Sequence, residues 1–148
     1  APQFGIPTTI ARLSVPYGDN GGWPYYHLLM MQNAIPIDIH PEQPNYYNLL
    51  HVDDYLEKIP RLLAAATTEV TTLNFGGSQA TSVEQWCAYL QELTGFEPVF
   101  KESSTAFGSL CIDTTRMHEL IGATEVDWKE GIASMVRSMA PELIKVAS

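Results

Sequence analysis

Strand-like and helix-like segments alternate along this chain, and the clearest pair lies near its middle. Val70–Phe75 is rich in β-branched and apolar residues and is followed by Gly76-Gly77, which is typical of a buried strand in a parallel sheet. Ser82 and Gln85 then form a capping box, and apolar residues repeat at helical spacing until Gly95. Because a strand followed by a helix returns the chain for another parallel strand, the alternation predicts an α/β fold.

The other segments continue this alternation. We predict further strands at Thr8–Leu13, Ile35–Ile39, Tyr46–Leu50 and around Val99–Phe100. The first of these reads as a buried strand. We predict further helices from Pro24 to about Ala34, Asp54 to about Ala66, Asp113 to Gly122, and from Asp127 onward.

Two residue types mark where these helices begin and bend. Asp53 and Asp113 are expected N-caps, because a carboxylate accepts hydrogen bonds from the free N–H groups of a first turn. Asp127, with Glu130 three residues on, opens the last helix in the same way. Pro60 lies inside a predicted helix and is expected to kink or split it.

The charge of the chain argues against two classes of partner. Seventeen acidic and 8 basic residues give a formal net charge of -9, which repels nucleic-acid phosphates and anionic lipid. No apolar run reaches the ~20 residues that span a bilayer, and the start lacks a secretory pattern. We therefore expect no nucleic acid, no membrane and a cytoplasmic location. A disulfide or thiolate metal site has little support, because Cys87 and Cys111 are the only cysteines.

Five short motifs occur in order along nearly the whole chain. They are Arg12–Gly18, His51–Asp54, Leu73–Gly77, Ser82, and Asp113 with Arg116. Together they resemble the latter half of extended short-chain dehydrogenases, the NAD(P)-dependent epimerase/dehydratase family. The resemblance implies a single unit over residues 1–148. It would hold the last strands of a Rossmann-like parallel sheet plus the small substrate-binding lobe.

The same resemblance implies where ligands bind. Thr8–Leu13 and Val70–Phe75 would be sheet strands, and the lobe would comprise about Gly22–Asn48 and Phe96–Ser148. NAD or NADP would pass the loop after the first strand, at Leu13, Ser14 and Val15. A small-molecule substrate would contact Tyr17, Asn20, Trp23, Tyr47 and Arg116.

Two features of that family do not occur in the sequence. There is no glycine-rich dinucleotide turn, and no tyrosine stands four residues before a lysine, as the family's catalytic Tyr-x-x-x-Lys pair requires. Without that pair no acid/base serves the alcohol or ketone oxygen. We therefore expect the N-terminal dinucleotide-binding part to be absent and the chain to be inactive alone. An exposed strand edge would then lead it to self-associate or to recruit the missing part.

Two departures from the family's motifs bear on the substrate. Val15 stands where many nucleotide-sugar enzymes carry Asn, and Tyr47 stands where they carry Arg. A guanidinium offers a fixed fork of donors to a diphosphate, which a phenol cannot replace. These departures favour a smaller or less charged carbonyl substrate.

Three other interpretations remain open. The chain could be a non-catalytic binding or structural module. Gly76-Gly77-Ser78-Gln79-Ala80 is similar to the nucleophile elbow of serine hydrolases, with His118 as the base, although the helix begins later than an elbow requires. His51, Asp53 and Asp54 could be drawn as metal ligands, but carboxylates at a helix start are more often a cap. His27, His40 and His118 read as ordinary surface or core residues.

Overall fold

The computed structural model describes residues 2–145, which form nine strands and five α-helices. The strands are β1 Thr9–Leu13, β2 Val15–Gly18, β3 Gly21–Gly22, β4 Ile37–Ile39, β5 Tyr46–Tyr47, β6 Leu49–His51, β7 Thr71–Phe75, β8 Thr81–Ser82 and β9 Phe100–Glu102. The helices are α1 Trp23–Gln32, α2 Val52–Ala64, α3 Val83–Thr94, α4 Thr115–Ile121 and α5 Trp128–Met139. Short 3-10 helices lie at Pro2–Phe4 and Pro141–Leu143. The α/β class is confirmed.

β1 and β7 are neighbours in a parallel two-stranded sheet. Thr9 pairs with Thr71, and the register runs to Leu13 opposite Phe75, so the carboxyl ends of both strands meet. The pairing agrees with the expected last strands of a parallel sheet. β2 pairs in parallel with β6 and antiparallel with β3.

The predicted strand Tyr46–Leu50 is wrong as a single element. β5 pairs with β8, whereas β6 pairs with β2, and Asn48 separates them. The Asn48 amide donates to the Gly77 carbonyl oxygen at 2.8 Å and accepts from the Ile112 N–H at 2.9 Å. This residue therefore fixes the chain where it passes between two sheets. The strand predicted near Val99 lies slightly later, at β9, which pairs in parallel with β4.

The larger of two hydrophobic cores lies in what we call the lobe core, where α1, α3 and α5 pack together. Its fully buried side chains include Leu28, Trp86, Leu90, Ile132 and Met135. The predicted lobe left out the segment that forms α3, and that boundary is wrong. The apolar stripe of α3 supplies the centre of this core because it faces both other helices.

A smaller group, the sheet core, lies against β7. It contains Leu50, Leu73, Phe75, Met117 and Ile121. The last two belong to α4, which packs on α2 and β7. The prediction that placed all of Phe96–Ser148 in the lobe is therefore wrong for α4.

The helix ends test the capping predictions. Ser82 and Gln85 form the capping box, Gly95 ends α3 in the left-handed conformation, and Asp127 accepts from the N–H groups of Lys129 and Glu130, all as predicted. Asp53 is not the N-cap of α2, and that prediction is wrong. His51 holds the position, and its Nδ1 accepts from the Asp53 N–H.

Two further helix predictions concern Pro60 and Asp113. α2 runs through Pro60 as one helix, so the split that was one of the two expected outcomes does not occur. Asp113 lies one residue before the N-cap of α4, yet its carboxylate accepts from the Thr115 N–H at 2.9 Å. That bond lowers the pKa of the Asp113 carboxyl, because it stabilises the charged form.

β1 is exposed, which contradicts the prediction of a buried strand. Ile10 and Leu13 are 49% and 48% exposed, whereas Leu73 and Phe75 on its neighbour are buried. Within residues 2–145, β1 pairs along one edge only, with β7 and the residues just before it. The other edge presents free backbone donors and acceptors. No helix in this described range is long and apolar enough to cross a membrane.

Candidate functional site

The site begins where β1 and β7 end together. The Ser14 N–H donates to the Phe75 carbonyl oxygen at 2.8 Å, and the chain then enters β2 at Val15. Leu13, Ser14 and Val15 therefore form a short crossing between two sheets. Ligands of parallel α/β folds bind at such carboxyl ends.

Above this crossing lies a cavity of about 560 Å³, which we call the aromatic cavity. Its lining residues are Leu13, Ser14, Val15, Trp23, Tyr47, Phe107, Gly108, Ser109 and Leu110. The volume is within the usual range for small-molecule sites. None of the lining side chains carries a charge at neutral pH.

The loop over residues 107–110 is tied to β5. The Tyr47 hydroxyl lies 2.9 Å from the carbonyl oxygens of both Phe107 and Gly108, and the Leu110 N–H donates to the Tyr46 carbonyl oxygen at 2.8 Å. The Ser109 hydroxyl also donates to the Pro44 carbonyl oxygen. Tyr47 thus lines the cavity with its ring and positions the opposite wall with its hydroxyl. Burial raises the pKa of Tyr47, and the nearby Glu84 adds to this, so the phenol stays neutral.

Behind the cavity the lobe core holds a group of aromatic rings in contact with one another. Trp23 meets Tyr47 edge-on at 4.9 Å between ring centroids, and the Trp86 Nε1–H donates to His27 Nδ1 at 2.9 Å. Burial lowers the pKa of His27 to about 4, so its ring is neutral near pH 7. These contacts fix the Trp23 ring on its inner side.

A second cavity of about 320 Å³ shares Leu13 with the first. Its other lining residues are Pro16, Tyr17, Asn20, Gly21, Gly22, Val52 and Tyr55. Burial raises the pKa of Tyr17, and Asp127 and Asp54 add to this. Tyr17 therefore cannot serve as an ionised base near neutral pH.

The residues predicted to bind ligands are divided between these two cavities. Leu13, Ser14, Val15, Trp23 and Tyr47 line the aromatic cavity, and Tyr17 and Asn20 line the smaller one. Arg116 lines neither and is exposed on α4. The predicted set lacks the other lining residues, which are Phe107, Gly108, Ser109 and Leu110 in the aromatic cavity and Pro16, Gly21, Gly22, Val52 and Tyr55 in the smaller one. The loop over residues 107–110 was missed because no local pattern brings a loop to a strand 60 residues away.

Gly76 and Gly77 have a structural role at the end of β7. A Cβ atom at Gly77 would collide with the Leu49 carbonyl oxygen, and one at Gly76 would lie 2.8 Å from the Ser14 Cβ. Both contacts are too close for any residue larger than glycine. The glycine pair therefore allows β7 to end against the crossing that lines the aromatic cavity.

Ser78 and His118, the two residues of the hydrolase alternative, lie together. Ser78 Oγ is 2.8 Å from His118 Nε2 and accepts from the Thr124 N–H at 2.9 Å. Among residues 2–145, no carboxylate accepts a hydrogen bond from His118. α3 also begins at Val83 rather than directly after Ser78. A hydrolase elbow needs a carboxylate partner for its histidine and a helix that begins directly after its serine.

The possible metal ligands near α2 have other partners. His51 Nδ1 accepts from the Asp53 N–H at 3.3 Å, and the Asp54 carboxylate accepts from the N–H groups of Glu125 and Val126. Residues 2–145 contain no group of three or more histidine, cysteine or acidic side chains with metal-binding geometry.

Neither a protein-family model nor a curated protein sequence matches this chain. Solved structures do. UDP-glucuronic acid 4-epimerase from Bacillus cereus, crystallised with UDP-glucuronic acid and NAD, has a TM-score of 0.75 at 16% identity, over 93% of this chain and 46% of that enzyme. UDP-glucose 4-epimerase from Thermotoga maritima, crystallised with UDP-glucose, has a TM-score of 0.71 at 22% identity, over 93% and 47%.

A third structure, MoeE5 in complex with UDP-glucuronic acid and NAD, has a TM-score of 0.71 at 20% identity, over 91% of this chain and 48% of MoeE5. The chain spans about half the length of these structures. Its fold is that of about half of an extended short-chain dehydrogenase, namely the portion that it matches in these structures.

Proposed function

We propose that this chain forms one wall of the substrate cleft of an NAD(P)-dependent epimerase, dehydratase or carbonyl reductase. The observation that supports this most is the crossing at Leu13, Ser14 and Val15, which lines a cavity at the joined ends of two parallel strands. The three similar structures described above each hold a sugar nucleotide, and two of them also hold NAD.

The residues present fit only one end of a dinucleotide. Leu13 lines both cavities and offers an apolar surface for a flat ring. The sequence holds no glycine-rich turn for the pyrophosphate. Bound there, the nicotinamide would accept or donate hydride. The chain's own residues would orient the ring and exclude water.

The acid/base of the reaction would come from outside this sequence. No tyrosine stands four residues before a lysine, and Tyr17 and Tyr47 are both held neutral by burial. We expect no turnover of NADH by this chain alone. We propose that the free edge of β1 pairs with further strands, either of a nucleotide-binding portion or of a second copy.

A saturation-transfer NMR experiment on the full chain with millimolar NAD tests the proposal. We expect saturation to reach the nicotinamide protons and not the adenine protons, because only the ring end meets this chain. Leu13→Asp should abolish the transfer, and Ile10→Asp, on the same strand and equally exposed, should keep it. Transfer to neither ring in the folded protein would contradict the proposal.

A non-catalytic binding module predicts the same lack of turnover. The two proposals differ in the NAD experiment, because a module without cofactor chemistry has no reason to select the nicotinamide ring. Selective contact with the nicotinamide ring that depends on Leu13 therefore favours the proposal that the chain is part of an NAD(P)-dependent enzyme.

A serine hydrolase is a second candidate because of the 2.8 Å contact between Ser78 Oγ and His118 Nε2. A fluorophosphonate probe tests it directly. Covalent labelling that is lost in Ser78→Ala and in His118→Gln would support it. We expect no labelling, because the Ser78 hydroxyl already pairs with Thr124 and His118 has no carboxylate partner within residues 2–145.

A further inference from the structure

The lining of the aromatic cavity selects by charge. All eight Lys and Arg residues lie within the described range, and none of them lines this cavity. No histidine, aspartate or glutamate lines it either. Its walls are aliphatic side chains, aromatic rings, two serines and a glycine. A ligand that enters it finds no side chain that can neutralise an anion.

A diphosphate would lose hydration in such a cavity without gaining charged donors. Moving a charged group out of water is costly unless it is paired and hydrogen-bonded, and phosphate sites usually supply arginine or lysine for this purpose. The formal net charge of -9 adds long-range repulsion. Both effects act against a nucleotide diphosphate.

The same walls suit a flat and uncharged ligand. Trp23 and Tyr47 stand at 70° to each other with 4.9 Å between centroids, so they form two faces of a corner. Phe107 borders the cavity and is 81% exposed, which leaves its ring free to cover a bound molecule. Aromatic faces bind planar apolar groups through stacking and edge contacts.

One of the hydroxyl groups in the lining has no hydrogen-bond partner within the described residues. Ser14 lines the cavity, and its Oγ is buried without a hydrogen-bond partner among residues 2–145. A buried hydroxyl without a partner is costly, and a ligand oxygen would satisfy it. A carbonyl oxygen is the simplest acceptor for this hydroxyl.

We infer that the aromatic cavity takes an uncharged, planar aryl carbonyl compound and rejects nucleotide diphosphates. The inference rests on the proposed function, in which this cavity is the substrate wall. It departs from the sugar nucleotides that occupy the similar structures.

The three tryptophan indole N–H signals provide a site-resolved test on the full chain. Trp23 lines the cavity, whereas Trp128 lies outside it against Tyr89 and serves as an internal control. Three probes are titrated separately: acetophenone, which is neutral, benzoate, which has a similar shape and one charge, and UDP-glucose.

We expect acetophenone to shift the Trp23 signal with an affinity at least tenfold tighter than benzoate, and to leave Trp128 unchanged. UDP-glucose should not shift Trp23 at millimolar concentration. Leu110→Arg places a cation at an exposed lining position and should reverse the order of acetophenone and benzoate. Leu120→Arg, exposed on α4 and outside the cavity, should leave the order unchanged.

The contrary outcomes distinguish a failure of this ligand inference from a failure of the proposed function. If UDP-glucose shifts Trp23 more tightly than acetophenone does, the inference fails while the proposed substrate wall stands. If none of the three probes shifts Trp23, while a dispersed spectrum shows a folded protein, the cavity is not a substrate wall and both fail. An unchanged probe order in Leu110→Arg would also overturn the charge explanation.

Discussion

The lobe core and the sheet core differ in how completely this chain surrounds them. In the lobe core, helices α1, α3 and α5 pack on one another, and Trp86, Leu90 and Ile132 have no exposed surface. In the sheet core, α4 and α2 pack with β7, but β1 beside it leaves Ile10 and Leu13 about half exposed. The lobe core buries its apolar side chains within this chain. Beside the sheet core, the apolar side chains and one edge of β1 stay uncovered.

The aromatic cavity lies where these two regions meet. Leu13 comes from the incompletely covered sheet, whereas Trp23 and Tyr47 are held by the rings of the lobe core. In the function proposed above, the lobe would therefore fix the residues that select the ligand. The sheet would carry the edge that further strands complete.

A matched pair of leucine deletions tests this difference with the largest expected effect. Leu90→Ala in the lobe core should cost about 3–5 kcal/mol in the free energy of unfolding, because the fully enclosed site leaves a cavity. Leu73→Ala in the sheet core should cost less, about 2–3 kcal/mol, because the less enclosed sheet can relax. Urea unfolding followed by circular dichroism measures both. Equal losses would show that the two cores are equally rigid.

Mildly acidic pH should weaken the lobe through His27. Burial lowers the folded pKa of this histidine from 6.5 to about 4, so the unfolded chain binds the proton more tightly. The stabilisation is complete above pH 6.5 and is lost as the pH falls towards 4, by about 3 kcal/mol in total. Urea unfolding between pH 7 and pH 4 measures this loss. His27→Gln should flatten that part of the profile, and an unchanged slope would refute the assignment.

Tyr47→Phe should loosen the loop over residues 107–110, because it removes the hydroxyl contact with that loop. We expect a loss of about 1 kcal/mol and faster hydrogen exchange at the Leu110 amide. Tyr46→Phe is the matched control, because the Tyr46 hydroxyl makes no hydrogen bond within residues 2–145. If both variants behave alike, Tyr47 does not position this loop.

The free edge should respond to charge with little change in stability. Ile10→Lys should alter the free energy of unfolding by no more than about 0.5 kcal/mol, because the side chain is half exposed. It should also reduce self-association in sedimentation velocity, since an inserted lysine protects strand edges. Val99→Lys, 44% exposed on another part of the surface, is the control. A wild-type chain that stays monomeric at every concentration would remove self-association from the proposal.

Much of the secondary structure was predictable because its signals are local. The capping box joins Ser82 to Gln85, and the Asp127 cap reaches only three residues. The assignment of β1 and β7 to a parallel sheet followed from a motif resemblance that covers nearly the whole chain. The alternation of strands and helices predicted the α/β class, because the hydrophobic periodicity of each element is visible within a short stretch of sequence.

Local sequence patterns did not predict roles that depend on other parts of the fold. His51 takes the cap position from Asp53 because β6 leads directly into α2. Asn48 joins Gly77 to Ile112, and its role depends on partners 29 and 64 residues away. Arg116 matched a motif, yet α4 packs on the sheet and carries it away from both cavities.

The sequence by itself determined the class of fold, the N-caps of α3 and α5 and the crossing at Leu13, Ser14 and Val15, because each depends on neighbours along the chain. Only the tertiary structure decided which residues share a cavity and that no charge lines it. Tyr47 and Phe107 are 60 residues apart, and they meet because β5 and the later loop are hydrogen-bonded side by side. Such contacts form when the whole core closes, and no short window of sequence records them.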